Sequence, residues 1–206
     1  MVKTKICGIQ FIEEVHMLNE LMPEYAGFVF AKSKRQISME IANRLREQLN
    51  DKIQTVGVFV KEPIENIVSL CQAGIIGCIQ LHGEETLDYI EELKSLVNNP
   101  IIYAKRVKKE ENTILEELPV DYFLFDSYVE GVYGGSGKMV DYSYVPKVNK
   151  PWFLAGGLSP DNIATVLSKV TPYSVDVSSG VEAQGMKSFD KMKCFIEMVR
   201  REETLV

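Results

Sequence analysis

Two short glycine and serine segments have the composition of a phosphate site. Gly156-Gly157 and Ser178-Ser179-Gly180 each follow an apolar stretch of the kind that forms a buried strand. Bare backbone N–H groups at such positions, together with the N-terminus of a following helix, can hold an anion. Tight turns are the alternative explanation for either segment alone, but two such segments at neighbouring strand ends favour phosphate binding.

Five ionisable side chains also follow apolar stretches: Cys7, Arg35, His82, Asp126 and Asp176. A planar guanidinium such as that of Arg35 can grip a carboxylate through two hydrogen bonds. A carboxylate such as Asp126 is costly to bury without a partner or a purpose. Simpler roles also remain open for three of these residues: a solvated charge for Arg35, a helix cap for His82 and a buried core thiol for Cys7.

Composition limits the classes of function. The chain has 206 residues, 46% hydrophobic and 25% charged, as in an ordinary globular protein. Its net charge of −6 provides no general basic field for nucleic acid or an anionic membrane surface. No stretch approaches the roughly 18 apolar residues of a membrane span, and no signal segment opens the chain. The 4 cysteines lack CxxC spacing, which disfavours a disulfide framework or a metal site and favours a cytoplasmic location.

Short β-branched or aromatic runs alternate with longer amphipathic segments along the whole chain. The runs predict strands over residues 3–8, 25–30, 54–60, 77–81, 101–107, 121–126, 152–155 and 173–177. The intervening segments predict helices over 11–21, 38–49, 63–73, 84–97, 160–170 and 188–200, with short ones ending near 118 and over 142–145.

Eight strands at a spacing of roughly 25 residues predict a closed (βα)8 TIM barrel of parallel strands, with an open doubly wound sheet as the alternative. No linker interrupts the alternation, so residues 1–206 are predicted to form one domain. Active sites of such barrels lie at the C-terminal ends of the strands, where all the candidate residues above would converge. The longest irregular stretch runs from Ser127 to Met139, and its glycine-rich centre, Gly134-Gly135-Ser136-Gly137, predicts a lid over the site.

A series of motifs follows in order along the chain: Lys5-Ile6-Cys7-Gly8-Ile9, Gly27-Phe28-Val29-Phe30 with Ser33 and Arg35, Gln80-Leu81-His82-Gly83, Asp126, Gly134-Gly135-Ser136-Gly137-Lys138, Ala155-Gly156-Gly157-Leu158, and Asp176-Val177-Ser178-Ser179-Gly180-Val181-Glu182. In combination they resemble the phosphoribosylanthranilate isomerase family over the whole chain. That resemblance implies a TIM barrel of tryptophan biosynthesis. It also implies an Amadori rearrangement of N-(5'-phosphoribosyl)anthranilate to 1-(o-carboxyphenylamino)-1-deoxyribulose 5-phosphate, without a metal or an organic cofactor.

The resemblance also implies roles for individual residues. The family's general base aligns with Cys7, its general acid with Asp126 and its arginine for the anthranilate carboxylate with Arg35. The phosphate contacts match the glycine and serine segments, the loop after strand six covers the substrate, and His82 and Asp176 join Arg35 as expected substrate contacts. The implied partner is a small phosphorylated molecule, and the implied assembly is a monomer or a homodimer.

Two residues depart from the family pattern. Gln10 stands where many relatives carry threonine, and Tyr103 stands near the family's strand-five lysine. Lys105, two residues further along the same strand face, is the nearest substitute. A general base at Cys7 also has to be a thiolate, and an ordinary thiol is only a few per cent ionised at neutral pH. A helix N-terminus or a nearby cation would lower the pKa of Cys7.

Two other functions remain as alternatives. A ProFAR isomerase of histidine biosynthesis runs the same rearrangement, but that family uses an aspartate in the first strand and its substrate carries two phosphates. A barrel that binds phosphorylated ligands without catalysis needs no paired acid and base, so the presence of both Cys7 and Asp126 disfavours it.

Overall fold

The computed structural model describes residues 1–106, 117–126 and 148–201. Eight parallel strands form a closed barrel in chain order, with the eighth paired to the first. The strands are β1 (Lys3–Cys7), β2 (Tyr25–Val29), β3 (Gln54–Phe59), β4 (Cys78–Leu81), β5 (Ile101–Arg106), β6 (Tyr122–Asp126), β7 (Trp152–Ala155) and β8 (Ser174–Val177). The described helices are α1 (Ile12–Leu21), α2 (Met39–Gln48), α3 (Ile64–Gln72), α4 (Leu87–Leu96), α5 (Ile163–Leu167) and α6 (Phe189–Arg201). This architecture confirms the predicted TIM barrel.

Successive side chains of each strand point alternately into the barrel and out toward the helices. In β6, Leu124 packs inside the barrel, whereas Phe123 and Phe125 belong to the core that the helices cover. Both faces of the strands are therefore buried, which explains the nearly continuous apolar runs in the sequence. The same alternation puts Lys5 and Cys7 on the inner face of β1.

The alternation corrects the expectation about the strand-five lysine. Tyr103 packs in the core between sheet and helices, while Ala104 packs inside the barrel. Lys105 lies two residues from Tyr103 and so shares its outward face. Lys105 therefore does not supply a side chain to the interior, and Arg106 is the residue at the end of β5 that follows Ala104 on the inner face.

Helix starts follow local side-chain hydrogen bonds. Ser38 caps α2 as predicted, because its Oγ accepts a hydrogen bond from the Ile41 N–H at 3.2 Å. The start of α4 was predicted too early, at residue 84. Glu84 has a positive φ of 55°, and the Glu85 carboxylate binds the Gly83 N–H, so the helix begins only after these residues.

A small hairpin after β8 was not predicted. β9 (Glu182–Ala183) and β10 (Met186–Lys187) pair antiparallel. The two residues that connect them, Gln184 and Gly185, have φ angles of 52° and 86°, as a tight type I′ turn requires. The hairpin carries Glu182 and Lys187 back toward the C-terminal ends of the strands.

Some predicted elements fall wholly or largely outside the described residues. They are the short helices near 118 and over 142–145, and the lid residues Gly134, Gly135, Ser136 and Gly137. Predicted helix 160–170 is shorter in the structure, where α5 spans only Ile163–Leu167. Among the described helices, none is long and apolar enough to cross a membrane. That residues 1–206 form one domain stays a prediction.

The aromatic cluster inside the barrel gives a prediction about stability. Phe153 is fully buried, with its ring centroid 5.4 Å from Tyr25, 5.6 Å from Tyr122 and 5.7 Å from Tyr173. Phe153→Ala leaves a cavity there and should lower the free energy of unfolding in urea by about 3–5 kcal/mol. Leu96→Ala, at a side chain that is 54% exposed, is the control and should change it by less than about 0.5 kcal/mol. Equal losses in the two variants would contradict this packing.

Candidate active site

A cavity of about 350 Å³ opens at the C-terminal ends of the strands. Most of the predicted site residues that the structure describes line it: Cys7, Arg35, His82, Asp126, Gly156, Gly157, Asp176, Ser178 and Ser179. The exception is Gly180, which lies behind the lining. A Cβ built on Gly180 would lie 1.9 Å from the Leu158 carbonyl oxygen, so this glycine lets the loops after β7 and β8 pack against each other.

The floor of the cavity holds a buried lysine. The Lys5 side chain is 0% exposed, and its Nζ donates hydrogen bonds to Asp176 Oδ2 at 2.8 Å and Gln80 Oε1 at 2.9 Å. Burial lowers the pKa of Lys5, but the Asp176 carboxylate and Cys7 raise it by a larger amount, so the net shift is upward. Lys5 is therefore a permanent cation inside the barrel.

Cys7 lies at the next inner position of β1. It pairs with Gly27 of β2, where an added Cβ would come within 2.7 Å of Cys7 Sγ, so the glycine makes room for the thiol. Burial raises the pKa of the Cys7 thiol, and the positive charge of Lys5 is the strongest opposing influence. Nearby cations are thus present, as a reactive thiol needs. They reduce the upward shift in the pKa of Cys7 without reversing it.

A chain of polar contacts connects Lys5 with Asp126 across the cavity. Lysine can only donate, so Gln80 accepts through Oε1 and turns its NH₂ group to His82 Nδ1, 3.0 Å away. Nδ1 therefore accepts, and the ring proton lies on Nε2, which is 3.9 Å from Asp126 Oδ2. Burial lowers the pKa of His82, and Asp126 only partly offsets this. His82 is accordingly neutral at pH 7.

Arg35 reaches the cavity from the loop after β2 and is held by a carboxylate of the protein itself. Its Nε and Nη2 donate to the two carboxylate oxygens of Glu182 at 2.7 and 3.1 Å. Lys187 Nζ, which is buried, also donates to Glu182 at 3.0 Å. The guanidinium has further N–H donors, so this pair does not use up its capacity to bind a second carboxylate.

The loop after β7 exposes backbone to the cavity. Gly156 and Gly157 have φ angles of 97° and 62°, a conformation that glycine adopts without strain. A Cβ on Gly157 would meet nothing described within 4 Å. On the facing loop, Ser178 Oγ donates to the Cys7 carbonyl oxygen at 2.9 Å and lies 3.3 Å from Lys187 Nζ. The two loops thus bring glycine backbone and the Ser178 hydroxyl to one side of the cavity, with the Lys187 cation of β10 next to that hydroxyl.

Three residues of the site had no predicted role: Lys5, Glu182 and Lys187. For Lys5 a signal was present, because it lies two residues before Cys7 in a strand and must share its face. Glu182 and Lys187 stand on the unpredicted hairpin, where no periodic pattern points to them. Among the described residues, no group of three or more His, Cys, Asp or Glu side chains could hold a metal ion.

Comparison with known proteins points to one family. The family model described as N-(5'phosphoribosyl)anthranilate (PRA) isomerase matches residues 4–198. The N-(5'-phosphoribosyl)anthranilate isomerase of Lachnoclostridium phytofermentans is 46% identical, with 94% of this chain and 95% of the relative covered. The crystal structure of the phosphoribosyl anthranilate isomerase of Thermotoga maritima is 36% identical with a TM-score of 0.86, over 98% of this chain and 100% of that one.

Two further structures of this kind add a ligand and an assembly. One phosphoribosyl anthranilate isomerase was solved with reduced 1-(o-carboxyphenylamino)-1-deoxyribulose 5-phosphate. It is 31% identical with a TM-score of 0.79, over 98% of this chain and 100% of that one. The Thermotoga maritima isomerase is described as dimeric in a second structure.

The Arg35–Glu182–Lys187 cluster gives a prediction about pH. Burial acts to raise the pKa of Glu182, but the two cations outweigh it and lower that pKa to about 2. As the pH falls, the Glu182 carboxylate therefore binds a proton in the unfolded chain at a higher pH than in the folded one. The stabilising contribution is complete above about pH 4.5 and is lost as the pH falls toward 2. Glu182→Gln should therefore destabilise the protein most at pH 6–7, and the difference from the wild type should shrink below about pH 4.5. Urea unfolding of both proteins at several pH values measures it, and a difference that is constant with pH would contradict it.

Proposed function

The chain belongs to the N-(5'-phosphoribosyl)anthranilate isomerase family, and on that premise we propose that Cys7 is the general base and Asp126 the general acid of the reaction. The enzyme converts N-(5'-phosphoribosyl)anthranilate to 1-(o-carboxyphenylamino)-1-deoxyribulose 5-phosphate in tryptophan biosynthesis. The alternatives drawn from the sequence, a ProFAR isomerase and a non-catalytic barrel, give way to this family match.

The reaction needs a proton donor at the furanose ring oxygen and a proton acceptor at C2′, two atoms that are both bonded to C1′. As the general acid, Asp126 donates a proton to the furanose ring oxygen, the ring C–O bond breaks, and a Schiff base forms between C1′ and the nitrogen. The Cys7 thiolate then removes the proton from C2′, which gives an enolamine. Tautomerisation of the enolamine, in which C1′ gains a proton and the C2′ hydroxyl loses one, gives the ketone product. Proton exchange with solvent then returns Cys7 to the thiolate and Asp126 to the acid. Each transfer is general acid–base catalysis, worth roughly a hundred- to ten-thousandfold in rate.

The observation that supports these roles most strongly is the position of Cys7 and Asp126 in one cavity. They end β1 and β6, which lie apart in the barrel, and both line the same space. A substrate held between them would present different atoms to the acid and to the base. Neutral His82, with Nε2 directed to Asp126, supports a polar environment for the acid without adding a charge.

Substrate binding follows the distribution of donors and acceptors around the cavity. We propose that Arg35 binds the anthranilate carboxylate through the N–H groups that Glu182 leaves available. Asp176 Oδ1 is buried and has no hydrogen-bond partner in the part of the chain that the structure describes. It can accept from a sugar hydroxyl, and His82 lies on the same wall.

The phosphate is proposed to bind at the loops after β7 and β8. The proposed donors are the uncharged backbone N–H groups of Gly156, Gly157, Ser178 and Ser179, because the Ser178 hydroxyl already donates to the Cys7 carbonyl oxygen. Gly180 acts indirectly, because its lack of a side chain allows the close contact of the two loops. The binding of a phosphorylated analogue by a solved relative supports a phosphate site in this cavity.

We propose a monomer or a homodimer as the working assembly. All the described residues of the site come from one chain, so one barrel supplies the proposed acid, base and phosphate site. A dimeric relative supports the second possibility.

The assignment of acid and base predicts the effect of removing each group. Cys7→Ala and Asp126→Asn should each lower kcat by about 10² to 10⁴, because each removes one proton transfer, while product affinity changes little. The measurement is the loss of substrate fluorescence on mixing with phosphoribosylanthranilate, with product affinity from equilibrium titration. Cys71→Ala, which removes a partly exposed cysteine on α3, is the control and should keep normal turnover. Near-normal turnover in either test variant would remove that residue from its role.

The proposed role of Arg35 predicts an effect on substrate binding. Arg35→Ala removes the group that pairs with the substrate carboxylate, so KM should rise by more than kcat falls. Arg44→Ala, at an arginine of α2 whose side chain is 65% exposed, removes the same charge away from the cavity and should leave both constants unchanged. An unchanged KM for Arg35→Ala would show that Arg35 does not bind the substrate.

A further inference from the structure

The proposed mechanism uses no group of Lys5, yet Lys5 is among the largest fully buried side chains of the protein. A buried ammonium is costly unless a partner compensates its charge. Here Asp176 is that partner, and it stands directly opposite Lys5 in the register of β1 and β8. An ion pair in such a position stabilises a fold less well than apolar side chains of the same size would. Its place, directly below Cys7, points to a use in the reaction.

We propose that Lys5 is a positioning residue that holds a fixed positive charge beside Cys7 and thereby favours the thiolate. The inference rests on the proposed role of Cys7 as the base. Lys5 and Cys7 occupy successive inner positions of β1. Because Lys5 is fully buried, water does not screen its charge. The hydrogen bonds to Asp176 and Gln80 fix the ammonium group in place.

The other charges around Cys7 do not replace Lys5. Asp176 on β8 opposes ionisation of the thiol, and Lys187 on β10 favours it more weakly than Lys5 does. Lys187 is paired with Glu182, which Arg35 shares, just as Lys5 is paired with Asp176.

Across the cavity stand neutral His82 and the carboxyl group of Asp126. Neither supplies a positive charge, so Lys5 is the principal cation acting on the thiol among the described residues.

The same ammonium group also orders the opposite side of the cavity. Because Lys5 can only donate, it fixes the orientation of the Gln80 amide, and the amide fixes His82 with the proton on Nε2. That proton faces Asp126. One buried cation thus favours the ionised base directly and sets the tautomer beside the acid through two hydrogen bonds.

The test is a pH titration of the Cys7 thiolate by its ultraviolet absorbance. Each protein is measured against its own Cys7→Ser counterpart, so that the difference isolates Cys7 from the other cysteines. Lys5→Met, which keeps the length of the side chain and removes the charge, should raise the titration midpoint by about one pH unit, a tenfold loss of thiolate at neutral pH. Lys34→Met removes an exposed lysine whose Nζ lies 3.8 Å from Glu182 Oε2, and it should leave the midpoint unchanged.

A second variant covers the case in which Lys5→Met does not fold because Asp176 is left unpaired. Lys5→Met/Asp176→Asn removes both charges of this pair, so neither partner is left as an unpaired buried ion. Its midpoint should also rise, but by less, because Asp176 opposes ionisation in the wild type. An unchanged or lowered midpoint in the folded variant would overturn the proposal.

The pH profile of kcat/KM separates this proposal from the assignment of the base. If Cys7 is the base, the acid limb of the Lys5→Met profile moves up with the thiolate midpoint. If the midpoint moves and the profile does not, Lys5 still controls the thiol and Cys7 is not the base.

Discussion

The interior of this barrel depends on one ion pair, between Lys5 and Asp176. The two residues face each other across the seam where β8 closes onto β1. Neither charge could be buried alone at a tolerable cost, so each residue needs the other. The ion pair therefore requires the register in which β8 and β1 close the barrel. A slip of one residue would turn Lys5 toward the apolar core under the helices. The register that closes the barrel is therefore also the register that builds the site.

Everything on the floor of the cavity follows from that pair. The inner position after Lys5 is Cys7, and Gly27 of the neighbouring strand leaves space for the thiol. The Gln80 amide accepts from the ammonium group of Lys5 and donates to His82, which fixes the orientation of both side chains. His82 in turn faces Asp126. The hairpin after β8 adds a second, separate cluster in which Glu182 holds Arg35 at the rim. In the proposed mechanism, the floor governs proton transfer, and the rim and loops govern binding.

Much of this was predictable from the sequence. The eight apolar runs predicted the strands because burial on both faces leaves a strong local pattern, and the barrel then brought Cys7, His82, Asp126 and Asp176 together. Contacts between distant residues were not predictable. The strand pattern puts Lys5 on the same face as Cys7, but it does not reveal the ion pair, because the partner is 171 residues away. Helix α4 starts late because the side chain of Glu85 binds backbone, and no periodicity signals that bond.

The most direct test of this mechanism is a crystal structure with reduced 1-(o-carboxyphenylamino)-1-deoxyribulose 5-phosphate, the analogue that a relative already binds. The mechanism predicts the phosphate on the loops after β7 and β8, and the carboxylate on Arg35. It also predicts the carbon at C2′ within about 3.5 Å of Cys7 Sγ, close enough for proton transfer. An analogue bound in the reverse direction, or with C2′ out of reach of Cys7, would contradict it.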